Sequence, residues 1–190
     1  MMGKKYISKS ANRFAVIGFL AVFVNTQAVS GEMPKNPSIQ SGNVTIEGKG
    51  TNHLKIQQKT NKSIINWDSF SVHKGGRVDF NMPSSRSSSL NRVTGSTPST
   101  IAGQINSNGK VLLINPNGVA ITKNGVVKTG SFAASTLNIK NNDFLKDIYS
   151  FKRKNNSKGV ENSGKIIVGS GGNASLLGGY VSNSGTIMAR

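Results

Sequence analysis

The chain has 190 residues, no cysteine, and 24 Lys and Arg against seven Asp and Glu, a formal charge of +17. That length admits one domain with a real core, and the absence of cysteine excludes disulfides. Seven carboxylates and two histidines leave little material for paired-carboxylate or metal chemistry.

The first thirty residues read as a secretory signal. Lys4, Lys5, Lys9 and Arg13 form a basic start without an acidic residue, and Phe14 to Val24 is an apolar run of eleven. Spanning a bilayer takes about 20 apolar residues, so a membrane anchor fits poorly. Ala28-Val29-Ser30 places small residues where a signal peptidase reads, with cleavage expected between Ser30 and Gly31. From Gly31 onward the chain keeps all seven acidic side chains and gives up four of the 24 basic ones, a charge of +13, and it contains no membrane span. A cysteine-free exported chain is compatible with a bacterial protein that crosses two membranes unfolded. The basic residues are scattered, with one tight cluster at Lys152-Arg153-Lys154. Lysines on the outside of a β-rod keep it soluble and discourage edge pairing. The other use of this charge is binding a polyanion: an acidic glycan, nucleic acid or cell surface.

Residues 31–38 hold two prolines without periodicity and read as a linker. Val44, Ile46, Leu54 and Ile56 alternate with polar residues on either side of a Gly48–His53 turn, the pattern of a half-exposed hairpin. It is suited to capping the first coil of a stacked fold. Ser63 to Trp67 is the next strand, and Trp67 should be buried. Gly75-Gly76 turns into Arg77 to Phe80, and Pro83 to Ser89 reads as a serine-rich loop. Leu90–Val93 and Ile101–Ile105 are short strands broken by Gly95 and Pro98. After the Ser107-Asn108-Gly109 turn, Val111 to Ile114 is apolar on both faces and must be covered on both sides. Asn138 to Phe151 fits no strand register and carries Phe144, Leu145, Ile148, Tyr149 and Phe151, so it is the expected outer cover. Asn115-Pro116-Asn117-Gly118 and Asn124-Gly125 are turns around Val119–Ile121 and before Val126-Val127.

Near the end a phrase repeats. Val160-Glu161-Asn162-Ser163-Gly164-Lys165-Ile166 returns as Val181-Ser182-Asn183-Ser184-Gly185-Thr186-Ile187. Each copy is an Asn/Gly turn followed by a short apolar strand. A period of about 20 residues is one coil of a β-solenoid. The expected fold is all-β, a parallel β-helix of six or seven coils and roughly 30 Å long at about 4.8 Å per coil. Asn162 and Asn183 could stack as an amide ladder, and Thr186 to Arg190 reads as an uncovered terminal strand.

Several of these segments together resemble one family. Ile65-Asn66-Trp67, Ser69-Phe70, Leu90-Asn91-Arg92-Val93, Ser107-Asn108-Gly109, Leu113 to Val119 and Ala134-Ser135-Thr136-Leu137 stand in the order found in haemagglutination-activity, or two-partner secretion (TPS), domains. The chain resembles most the high-molecular-weight adhesin branch, and less closely the filamentous haemagglutinins, from about Ile39 to Arg190. The resemblance implies a right-handed parallel β-helix that serves as the N-terminal secretion domain of a bacterial exoprotein. It implies recognition by periplasmic domains of a dedicated outer-membrane β-barrel transporter, and folding at the cell surface. The activity of such exoproteins, usually adhesion, haemagglutination, cytolysis or contact-dependent inhibition, lies mostly in later repeats, through which a host cell surface or glycans would be reached. Family secretion domains are usually longer than the stretch that follows the signal here, so residues 39–190 are expected to be shortened at the C-terminal end.

Other chemistries fit less well. Asp68 and Asp79 lie about half a coil apart, which would put them on different sides of the rod, and Asp143 and Asp147 fall in the cover. His53 and His73 lack acidic neighbours at ligand spacing and read as exposed loop residues. Neither catalysis, a cofactor nor a metal is expected. The candidate functional residues are those of the shared motifs: Asn66, Trp67, Asn91, Arg92, Asn115, Pro116, Asn117 and Gly118. Two readings stay open for them. They display a transporter-recognition surface, or they only shape turns, since Asn bonds its own backbone there.

Overall fold

The computed structural model describes residues 32–153 and 158–189. The secretory signal, its cleavage at Ser30 and Gly31, and Lys154 of the basic cluster lie outside the described residues. The fold is a parallel β-solenoid of about six turns, as the coil-length repeat implies.

Three sheets form its faces. The seven-stranded sheet stacks β2 (Val44–Glu47), β3 (His53–Gln58), β5 (Arg77–Asn81), β8 (Gln104–Ser107), β11 (Val126–Thr129), β16 (Lys165–Val168) and β19 (Thr186–Ala189). The six-stranded sheet stacks β1 (Ser38–Ser41), β4 (Lys62–Trp67), β6 (Ser88–Val93), β9 (Lys110–Ile114), β12 (Ser131–Ser135) and β17 (Ala174–Leu177). The third face holds β7 (Ser99–Ile101), β10 (Val119–Ile121), β15 (Val160–Asn162) and β18 (Val181–Asn183).

Parallel pairing places like residues on one another. Leu54, Val78, Ile105, Val127, Ile166 and Ile187 form one inward row through successive coils. The first five are at most 2% exposed. Their spacing along the chain is uneven. The step from Val127 to Ile166 is nearly twice the step from Ile166 to Ile187, because the segment holding residues 138–152 is inserted there. Loops absorb the differences while the row stays in register. On the third face the inward row Val119, Val160, Val181 ends exposed, with Val181 at 49%.

The N-terminal end is closed by antiparallel strands. β2 pairs with β3 as the expected hairpin, with Ile46 opposite Ile56. A second cap was not read from sequence: β1 pairs antiparallel with β4, Ile39 opposite Ile65. The expected linker is packed as well. The Lys35 amide donates to Ser69 O at 3.0 Å, the Asp68 amide donates back to Lys35 O at 3.2 Å, and Pro34 is buried. Two prolines that break periodicity are compatible with this pairing because edge strands tolerate them. The serine-rich loop is likewise shorter than expected, since Ser88 and Ser89 belong to β6 and are buried.

The cover lies between β12 and β15. It consists of β13 (Asn138–Ile139), a one-turn helix α1 (Asn141–Leu145) and β14 (Phe151–Lys152), which pairs antiparallel with β13. Ile139 and Phe144 pack on Ile64, Leu90, Leu112 and Ile114, with Phe151 alongside. The doubly apolar strand therefore has its second core, as expected. Leu145, Ile148 and Tyr149 differ from expectation and stay exposed. Among the described residues no helix is long and apolar enough to cross a membrane.

Candidate functional site

The motif residues gather near the C-terminal ends of β4 and β6 in the six-stranded sheet and at the corner that follows β9. Register explains the grouping. Asn66 sits beside Arg92 and Trp67 beside Val93, one coil up. Leu113, at the start of the turn-bearing motif, sits beside Asn91 one coil further.

Asn91 points into the core and is fully buried. Its Oδ1 accepts the Trp67 indole N–H at 3.1 Å, and its Nδ2 donates to Ser89 Oγ at 3.1 Å. Ser63 Oγ donates on to Gln58 Oε1 at 2.6 Å and lies 3.0 Å from Ser89 Oγ. Trp67 also meets Phe70 edge-on, with centroids 5.3 Å apart. The indole fills the core while its one polar atom is satisfied inside it, as burial demands.

Arg92 faces outward beneath the cover. Its guanidinium donates to Asn138 Oδ1 at 2.9 Å, Asn141 Oδ1 at 2.9 Å, Ile139 O at 2.7 Å and Asn66 Oδ1 at 3.3 Å. Burial lowers its pKa from the ordinary arginine value. Asn66 and Arg92 thus pin β13 and the start of α1 to the sheet.

The Asn115–Gly118 turn is the second group. Asn115 is fully buried. Its Nδ2 donates to Thr97 O and Ser99 Oγ, both at 2.9 Å, and its Oδ1 accepts the Asn117 amide at 3.0 Å. Asn117 Nδ2 reaches Gly95 O at 2.8 Å. Gly118 has φ +117°, a conformation that L side chains rarely adopt. Pro116 is half-buried, and its carbonyl accepts the Lys158 amide at 3.3 Å. The turn therefore clamps the exposed 94–98 loop of the preceding coil. That loop borders an open groove of about 590 Å³, lined by Ser71, His73, Lys74, Thr97 and Pro98 among others. The groove brings no paired carboxylates together.

Sequence reasoning missed one polar cluster. His53 is a strand residue, not a loop residue, and its Nε2 lies 2.7 Å from Asp79 Oδ2. Arg77 Nε and Asn106 Nδ2 also donate to Asp79, at 2.8 and 2.9 Å. Burial alone would raise the Asp79 carboxyl, but these hydrogen bonds and the Arg77 charge outweigh it and hold its pKa below the ordinary value. The acidic neighbour of His53 comes from the next coil, where local spacing does not show it. His73 does sit in a loop, with Nε2 3.0 Å from Asn52 Oδ1. Asp68 and Asp79 fall on different faces, as expected. Among the described residues no group of three or more His, Asp or Glu could hold a metal ion.

Stacked parallel coils with Asn91 bonded inside the core, Asn115 and Asn117 holding a turn and Arg92 holding the inserted segment define the class as a β-solenoid domain. The TPS secretion domain family matches residues 27–189, and the chain belongs to that family. It is similar to the HMW1 secretion domain from Haemophilus influenzae, with a TM-score of 0.77 and 34% identity, over 82% of this chain and 42% of that one. Two proteins named heme/hemopexin-binding protein are also similar. One, from Haemophilus influenzae strain Rd, is 37% identical over 111 residues, 58% of this chain and 12% of its own length. The other, from Haemophilus influenzae, is 31% identical over 137 residues, 72% of this chain and 15% of its length. The chain thus spans a small fraction of these relatives. The matches support a secretion domain of adhesin-type exoproteins, exported to the surface or medium of Gram-negative bacteria, and not a stand-alone polyanion binder.

Proposed function

We propose that residues 39–190 are the N-terminal secretion module of an exoprotein, led by a signal peptide cleaved between Ser30 and Gly31. In this reading, periplasmic domains of an outer-membrane β-barrel transporter recognise the module, which then folds at the cell surface and seeds the rod. The family match from residue 27 to 189 carries the reading. Any cargo activity, whether adhesion to a host surface or glycan or the heme/hemopexin binding named for the relatives, lies outside this module.

Asn66, Trp67, Asn91, Arg92 and the Asn115–Gly118 turn act here through structure. The support is that Asn91 and Asn115 are fully buried and spend their amides on the protein's own groups. In the folded rod each of these amides therefore has a structural use. The test is export from cells with and without a partner transporter of this type, read by the amount of chain in the medium and its new N-terminus. Export that needs the transporter, and an N-terminus at Gly31, are expected. Equal release without any such transporter would sink the proposal.

A further inference from the structure

We infer that the tip of the covering segment is a docking surface for an anionic phospholipid bilayer. Leu145, Ile148 and Tyr149 are 39%, 50% and 38% exposed, an apolar group on the side of the rod next to Lys62 of β4 and Lys110 of β9. Rod packing does not need them, because Ile139, Phe144 and Phe151 already fill the underside of the segment. Exposed apolar side chains grouped together mark an interaction surface.

The tip is held in place. Lys62 Nζ donates to Leu145 O at 2.7 Å and pairs with Asp147 at 2.7 Å. Lys110 Nζ lies 4.6 Å from the centre of the Tyr149 ring. The apolar group is therefore presented by two lysines of the sheet rather than left on a loose loop.

Its charge surroundings choose the partner. Lys140, Lys146, Lys152 and Arg153 are exposed along the same segment. Its two carboxylates are Asp143 and Asp147, and Asp147 is engaged by Lys62. An apolar tip with basic flanks is the composition of segments that lie in a membrane interface. A half-exposed tyrosine, apolar in its ring and polar at its end, suits headgroup depth. Most of these cations are lysines on flexible stems, not a planar fork set for one carboxylate. Spread charge of that kind matches many mobile headgroups better than one acidic site on a protein.

The test uses the chain beginning at Gly31, which keeps every strand of the rod, and sedimentation with phosphatidylcholine vesicles with and without phosphatidylglycerol. The chain should sediment only with the phosphatidylglycerol vesicles, and added salt should release it. Leu145→Ser with Ile148→Ser should lower partitioning about tenfold or more, one buried aliphatic side chain being worth about that much. Lys146→Glu with Lys152→Glu should weaken it at least as far, at about fivefold for each basic residue lost. Lys55→Glu with Lys128→Glu, on the seven-stranded sheet, should change it less than about twofold. Should the double serine variant melt lower than the parent, Ile148→Ser alone gives the same reading at a half-exposed side chain. Absence of binding at low salt, binding that survives loss of the aliphatic tip, or equal loss from the seven-stranded sheet would each overturn the inference. A parent that ignores vesicles but binds soluble polyglutamate through these residues would make the tip a protein-docking site and also overturn it.

Discussion

Trp67 and Asn91 meet diagonally between β4 and β6, inside the core, with the indole nitrogen 3.1 Å from the amide oxygen. The two residues lie 24 positions apart, so a one-coil step brings them together. Replacing Asn91 by Ala removes the indole's partner, leaves Ser89 with one bond fewer and opens a small cavity. A loss of about 2–4 kcal/mol is expected from these combined effects. Chemical denaturation followed by Trp67 fluorescence measures it, and a loss under about 0.5 kcal/mol would refute the buried network.

Asn115→Ala should lower stability by about 2–3 kcal/mol, because Thr97 O and Ser99 Oγ lose a donor and the Asn117 amide loses its acceptor. Export should fall with it. A purified variant that melts like the parent but is not exported would make Asn115 a recognition residue instead.

Arg92→Lys keeps the charge but cannot span Asn138, Asn141 and Ile139 O together. The expected cost is about 1–2 kcal/mol, felt mainly by the cover. Hydrogen exchange should quicken at residues 139–152 and stay unchanged in β5 and β8. Uniform quickening across the rod would show that Arg92 supports the whole coil rather than the insertion.

Asp79 gives the rod an acid-sensitive point. Its folded pKa lies below the ordinary value, so the folded state favours the carboxylate. That contribution is complete above the unfolded pKa, near 4, and is lost as pH falls through the folded value. The melting temperature of the parent should therefore drop steeply below about pH 4. Asp79→Asn should melt lower at neutral pH and lose less on acidification. Parallel acid curves for the two proteins would count against the cluster.

The last described coil, residues 169–189, contains no charged residue, and Tyr180, Val181, Ile187 and Met188 are each more than a third exposed. Its strands have one neighbour each in their sheets. Amide exchange in the chain beginning at Gly31 should be fast from about Val181 onward and slow in β8 and β9, since edge strands open first. Slow exchange through Ile187 would show that this edge is covered, by a second copy or otherwise, and concentration dependence would tell which.

Much of the architecture was legible because it is written locally. Asn/Gly turns alternate with short apolar strands, so a β-solenoid follows without long-range information. The Val44–Ile56 alternation implied the hairpin, and two-sided apolarity at Val111–Ile114 implied the cover. The Asn162–Asn183 ladder also followed from the repeat, and its amides meet at 2.8 Å. The apolar residues of the cover were visible too, but not which of them pack: Phe144 and Phe151 turn in while Ile148 turns out.

The sequence by itself determined the coil, the apolar rows and the turns, because strand alternation and Asn/Gly turn chemistry act within a few positions. Tertiary structure alone decided what each polar motif residue does. Asn91 became a core residue because Trp67 lies one coil below it, and Arg92 became a clamp because the cover returns to it from far along the chain, at Asn138. His53 met Asp79 for the same reason. In a solenoid the nearest neighbour in space is a full coil away in sequence, and here the coil length changes from one step to the next. No fixed spacing can announce such partners until the stacked strands set the register.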